Sequence, residues 1–143
     1  MKVNKHVKTC CLGSYNLTDE QLAKKVSGGI IPQDVTYLML WDNQISDLTP
    51  LSGLANLSCL ILNGNQISNL APLSGLTNLE ILELNGNNIN DITPLIKLTN
   101  LTSLELDDNP ISEESISELQ KALSMKRHPK RKILFKPKEY VYE

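Results

Sequence analysis

Four asparagines, Asn43, Asn65, Asn87 and Asn109, recur at intervals of 22 residues, and each carries the same frame around it. VTYLMLWDNQISDLTPLSGL, LSCLILNGNQISNLAPLSGL and LEILELNGNNINDITPLIKL follow one another in step, and LTSLELDDNPI begins a fourth unit. Self-similarity at so short a period restricts the chain to a stack of like units. One unit alone is too small to bury its own apolar positions, whereas neighbours in a stack bury them for each other.

The residues of a unit say how it stacks. Apolar residues alternate in LxL, so Leu60 and Leu62 face one way while Cys59, Ile61 and Asn63 face the other. One short strand per unit then pairs with its neighbours in a parallel sheet, about 4.8 Å from strand to strand. The side-chain amide of each repeated Asn both donates and accepts, so a column of them can satisfy loop backbone groups that would otherwise be buried unpaired. Pro50, Pro72 and Pro94 interrupt the return path, which favours short 3₁₀ or extended turns over full helices. The expected architecture is an α/β right-handed solenoid with a concave parallel β-sheet, thin convex turns and helical segments at both ends.

The whole chain, 1–143, reads as one domain. A degenerate repeat and helix occupy 1–34, regular repeats occupy 35–109, and a capping helix, basic loop and final strand occupy 110–143. In the first part Val7, Cys10, Leu12 and Leu17 match Val35, Leu38, Leu40 and Ile45, with Tyr15 in the place of the Asn and a period of 28. The extra length is helical, because Thr18-Asp19-Glu20-Gln21 reads as a capping box followed by Leu22 and Val26 on one face. Cys10 is expected in the core and Cys11 on the concave side. At the other end Ser112-Glu113-Glu114 opens a helix carrying Ile116, Leu119, Ala122 and Leu123, and Ile133-Leu134-Phe135 reads as the last strand.

Composition agrees with thin stacked layers. Phe and Trp occur once each, so the core is aliphatic. Between Asp34 and Gln120 there are twelve acidic residues and one basic residue, Lys97, whereas eight of the fourteen Lys and Arg lie between Lys121 and Lys138. The body is acidic and the tail basic. Three cysteines without zinc-site spacing read as reduced thiols. No apolar stretch suits a signal peptide or reaches the roughly 20 residues of a membrane span, so a cytoplasmic location is expected.

The 22-residue frame with N-x-I-x-D-L-x-P-L resembles the short leucine-rich repeat of bacterial internalins and of a phosphatase-1 regulatory subunit. The likeness is strong over residues 35–120, and the longer first repeat is similar to helical repeats of the ribonuclease-inhibitor type. The resemblance implies a protein that binds protein partners through its concave sheet.

The rows that project from that sheet are the candidate binding residues. The third position of each repeat gives Tyr37, Cys59, Ile81 and Ser103, and the fifth gives Met39, Ile61, Glu83 and Glu105. The seventh gives Trp41, Asn63, Asn85 and Asp107, and the eighth gives Asp42, Gly64, Gly86 and Asp108. One end is therefore expected to be apolar, at Tyr37, Met39, Trp41, Cys59, Ile61 and Ile81, and the other acidic, at Glu83, Glu105, Asp107 and Asp108. The competing reading has the N-terminal segment folding over Trp41 and Met39 and making them core. Exposed apolar clusters holding Trp and Tyr mark interaction sites.

Catalysis is not expected. His6 and His128 have no nucleophile placed by any motif, and no phosphate loop, dinucleotide fingerprint or metal-ligand spacing occurs. No cofactor is expected, and the acidic body argues against nucleic acid. The run Lys126-Arg127-His128-Pro129-Lys130-Arg131-Lys132 reads as a solvated loop between helix and strand. The expected function is a non-catalytic protein-binding module. The alternative is a self-assembling scaffold whose basic tail meets the acidic face of another copy, as a weak homo-oligomer.

Overall fold

A computed structural model describes residues 7–124 and 131–137. Six strands, β1 (Thr9–Cys11), β2 (Tyr37–Met39), β3 (Cys59–Ile61), β4 (Ile81–Glu83), β5 (Ser103–Glu105) and β6 (Lys132–Leu134), form one sheet in sequence order. Every pairing is parallel, and the register sets Cys10, Leu38, Leu60, Leu82, Leu104 and Ile133 in one row. That row is the inner side of the sheet. It confirms the 28-residue first repeat and puts β6 one residue earlier than the sequence suggests. Cys10 packs partly buried against the core while Cys11 is exposed, as their alternation requires.

Helix α1 (Asp19–Ser27) starts at the expected capping box, with the Thr18 hydroxyl accepting from the Gln21 N–H and the Gln21 side chain accepting from the Thr18 N–H. Three 3₁₀ turns, Thr49–Leu51, Ala71–Leu73 and Thr93–Lys97, form the convex return. Each opens on an Asx turn: the Asp47, Asn69 and Asp91 side chains accept from the N–H two residues on, at 2.9, 3.0 and 3.0 Å. Proline follows at a helix start where its missing N–H costs nothing. Helix α2 (Glu113–Ser124) buries Ile116, Leu119 and Leu123 against the last repeat.

The core is one column of aliphatic side chains running from Leu17 to Leu123. Beside it stand the only buried polar residues among those described, Asn43, Asn65, Asn87 and Asn109. Asn65 Nδ2 donates to the Leu40 carbonyl of the preceding repeat at 2.9 Å and to Leu62 of its own at 3.1 Å, while its Oδ1 accepts from the Ile45 N–H at 3.0 Å. Asn87 and Asn109 repeat this pattern. Each rung therefore serves the coil before it. Asn43 serves the first coil, taking the Leu17 N–H at 2.9 Å and giving to the Leu12 carbonyl at 2.9 Å. Position 15 has no such duty toward any described coil, which accounts for Tyr15 there.

The basic run is not wholly a solvated loop. Lys126–Lys130 lie outside the described residues, but Arg131 does not face solvent freely. Its guanidinium donates to the Leu101 and Thr99 carbonyls at 2.7 and 2.6 Å and also to Leu123 at the end of α2. The sequence shows a charge run; the carbonyls left over where a helix ends and a strand begins explain why one of its members is drawn inward.

Candidate functional site

The concave face is six strands wide, because β1 and β6 extend the rows read from the repeats. The third-position row runs Thr9, Tyr37, Cys59, Ile81, Ser103, Lys132, and the fifth runs Cys11, Met39, Ile61, Glu83, Glu105, Leu134. Tyr37, Met39, Ile61 and Ile81 are all partly exposed, an apolar band across three adjacent strands. Cys59 sits in the middle of that band but is only 7% exposed, so Tyr37 and Ile81 flank a thiol with almost no surface of its own. Burial, then the nearby Glu83 charge, raise the pKa of that thiol and keep it protonated.

Trp41 stands at the edge of the band. The N-terminal coil reaches it without covering it: the ring rests against Gly13, the residue at the same position in the first coil, and Trp41 stays 36% exposed. The competing reading of Trp41 as core is therefore half right. Its inner side packs on backbone, and its outer side is open.

The carboxylates are held in place. Asn63 Nδ2 donates to Glu83 Oε2 at 2.7 Å, and Asn85 Nδ2 donates to Glu105 Oε2 at 2.7 Å. The same two amides accept, through Oδ1, the N–H of Asn85 and of Asp107, each at 2.8 Å. Asn63 and Asn85 thus brace the loop and aim the neighbouring acid at once. The sequence places them in the seventh-position row without showing this bracing role; its signal is their constant spacing of 20 residues from Glu83 and Glu105. No ion pair reaches Glu83, Glu105 or Asp107 among the described residues. Glu83 and Glu105 are register partners, and like charges directly opposite repel. One Asp107 oxygen is buried without a hydrogen-bond partner among the described residues.

The acidic band is not the end of the face, which corrects the sequence expectation. β6 lies beyond it and brings exposed Lys132 and Lys136. The order along the face is apolar, acidic, basic. The eighth-position residues belong to the rim. Asp42, Gly64, Gly86 and Asp108 all have left-handed backbone, with φ of 52°, 69°, 65° and 56°. Gly, Asp and Asn tolerate that conformation best, so Asp108 is placed first by its backbone and only second by its charge. Among the described residues no group of His, Cys, Asp and Glu could hold a metal ion, and no helix is long and apolar enough to cross a membrane.

Comparison with known proteins agrees with this geometry. The family described as Leucine Rich repeats (2 copies) matches residues 33–75 and 77–121. No curated protein matches the sequence. Among solved structures the chain is similar to an internalin, InlF, of Listeria monocytogenes, at 30% identity over 74% of this chain with a TM-score of 0.66. It is similar to internalin C2 of the same species at 28% identity over 92% of this chain, TM-score 0.54. A leucine-rich-repeat protein of Leptospira interrogans gives 33% identity over 76% of this chain, TM-score 0.63. The chain spans 30%, 73% and 27% of these three proteins in turn. Solenoids of this kind serve generally as protein-interaction modules, through the extended concave surface that stacking creates. The chain belongs to the leucine-rich-repeat family.

Proposed function

We propose that this protein binds a protein partner across the concave sheet, with an apolar side chain of the partner against Trp41 and a basic one against Glu105 and Asp107. The observation that carries this reading is the adjacency of two unlike bands. Tyr37, Met39, Trp41, Ile61 and Ile81 leave apolar surface open to water, and beside them Glu83 and Glu105 are fixed by amides and meet no ion-pair partner among the described residues. Folding of the repeat requires neither feature at these outward positions. The fixed carboxylates orient a basic side chain, and the aromatic and aliphatic residues supply the desolvated centre.

Area sets the mode of binding. Six three-residue strands about 4.8 Å apart, each about 10 Å long, give roughly 300 Å² of flat sheet. A stable interface uses about 800 Å² per partner. The partner therefore also touches the rim at Asp42 and Asp108, or it binds weakly. The test is affinity capture with the intact chain, with Trp41→Ala and with a convex-side control, Ser74→Ala. A protein retained by the intact chain and the control and lost with Trp41→Ala fits the proposal; equal retention by all three contradicts it.

A further inference from the structure

The two ends of the solenoid are finished differently. α2 and β6 close the C-terminal end of the core. At the N-terminal end Val7, Tyr15 and Ile30 remain 55%, 67% and 60% exposed, and Cys10, Leu12 and Val26 are only partly buried. Tyr15, Leu17, Gln21, Lys24, Lys25 and Ile30 line a groove of about 320 Å³ there. β1 is the outermost strand, with no described neighbour on its far side, so its outward N–H and C=O groups are open to an extended segment.

The groove is poorly made for one more repeat and well made for an acidic, aromatic segment. A further coil stacked on it would receive no amide from position 15, where the ladder carries Tyr15. Lys25 is half-buried at the groove and has no carboxylate partner among the described residues, whereas Lys24 is paired with Glu20 and Lys8 with Asp34. The Lys25 charge is felt across the end face by Cys10. An apolar groove with one uncompensated ammonium group calls for apolar side chains next to a carboxylate.

We propose that this groove takes the segment Glu139-Tyr140-Val141-Tyr142-Glu143 of a second copy of the chain, with a terminal carboxylate of that run on Lys25 and its aromatic side chains against Tyr15 and Ile30. These residues lie beyond those described, and their sequence offers three apolar or aromatic side chains flanked by Glu on either side. The same molecule does not supply them. β1 and β6 are five strand spacings apart, about 24 Å. Val141 lies four residues beyond Pro137, which is anchored beside Asn109, and four residues span at most about 14 Å. A tail that meets another copy's first coil is a heterologous contact, so assembly runs head to tail. This surface is separate from the concave face, and its test does not involve Trp41.

The experiment is the light-scattering mass of the full chain against concentration, from about 10 μM to about 1 mM, the range in which a short segment binds. The mass is expected to rise above 15.9 kDa with concentration. Truncation after Pro137, which leaves the groove untouched, and Lys25→Glu should each weaken association at least about tenfold, or 1.4 kcal/mol. Mixing Lys25→Glu with a chain carrying Glu139→Lys and Glu143→Lys should restore it. A chain that stays at 15.9 kDa throughout, or a truncated chain that associates as strongly as the intact one, overturns the proposal.

Discussion

Trp41 rests on Gly13: a methyl group at Gly13 would come within 2.2 Å of the indole Cε2 and 2.4 Å of Cδ2. The two residues hold the same position in consecutive coils, 28 residues apart. Only a residue without a side chain at that position lets the ring lie down over the first coil instead of standing out from the sheet. Gly13 is not in the left-handed region, so the ring alone opposes a substitution there.

Gly13→Ala should therefore leave the fold intact and lift the indole into solvent. Trp41 is the single tryptophan, so its emission reports on this contact alone. The expected result is a red-shifted emission with a stability loss of about 1 kcal/mol, the usual scale for an added methyl in a packed contact. Unchanged emission would mean that the ring does not rest on Gly13.

The ladder makes a paired prediction. Asn65→Ala leaves the buried Ile45 N–H without its acceptor and takes one donor each from the Leu40 and Leu62 carbonyls, which keep Asn43 and Asn87. The expected cost is about 2 kcal/mol, read from urea unfolding. Tyr15→Asn should change stability by no more than about 0.5 kcal/mol, because no described coil lies upstream to receive the amide.

Arg131 should prove to be the clamp of the C-terminal end. Arg131→Met removes a donor from three carbonyls, one in α2 and two in the turn before β5, and should cost about 2 kcal/mol, with amide exchange accelerating in α2 before the central strands. Arg131→Lys should recover little, since one ammonium group lacks the forked geometry. Equal exchange rates in α2 for the intact and Met chains would assign the clamp no role.

Acid sensitivity should trace in part to Asp19. Partial burial alone would raise its pKa. The N–H of Asp47, with the hydroxyl and N–H of Ser46, outweighs that and holds the group below its ordinary value of 3.8. A carboxyl whose folded pKa is depressed adds stability above its unfolded pKa, and that stability is lost as pH falls through the folded value. Asp19→Asn should thus narrow the difference between urea midpoints at about pH 6 and about pH 2.5. An undiminished difference would place the acid response elsewhere.

The repeat period alone made the sheet, its parallel sense, the Asn column and the 3₁₀ returns legible, because each follows from one residue type at one recurring position. The candidate face was legible only in part. Alternation puts Tyr37, Ile61 and Glu83 on the outside, but it says nothing of how closely neighbours crowd, so the burial of Cys59 does not follow from it. The bracing role of Asn63 and Asn85 is not legible from their row, because it is directed at an adjacent coil 20 residues away. The basic strand beside Glu105 was hidden for another reason. β6 arrives after α2, off the 22-residue period, so Lys132 and Lys136 fell outside every row.

Binding at the concave face places a protein partner over the band at Trp41. The most direct measurement is titration of the captured partner into the intact chain while following Trp41 emission, repeated calorimetrically with Trp41→Ala. The account predicts a shifted emission that saturates, and a Kd at least about 30-fold weaker for Trp41→Ala, as for a hot-spot aromatic worth about 2 kcal/mol. Saturable calorimetric binding with unmoved emission, and an undiminished Kd in a folded Trp41→Ala chain, would contradict it.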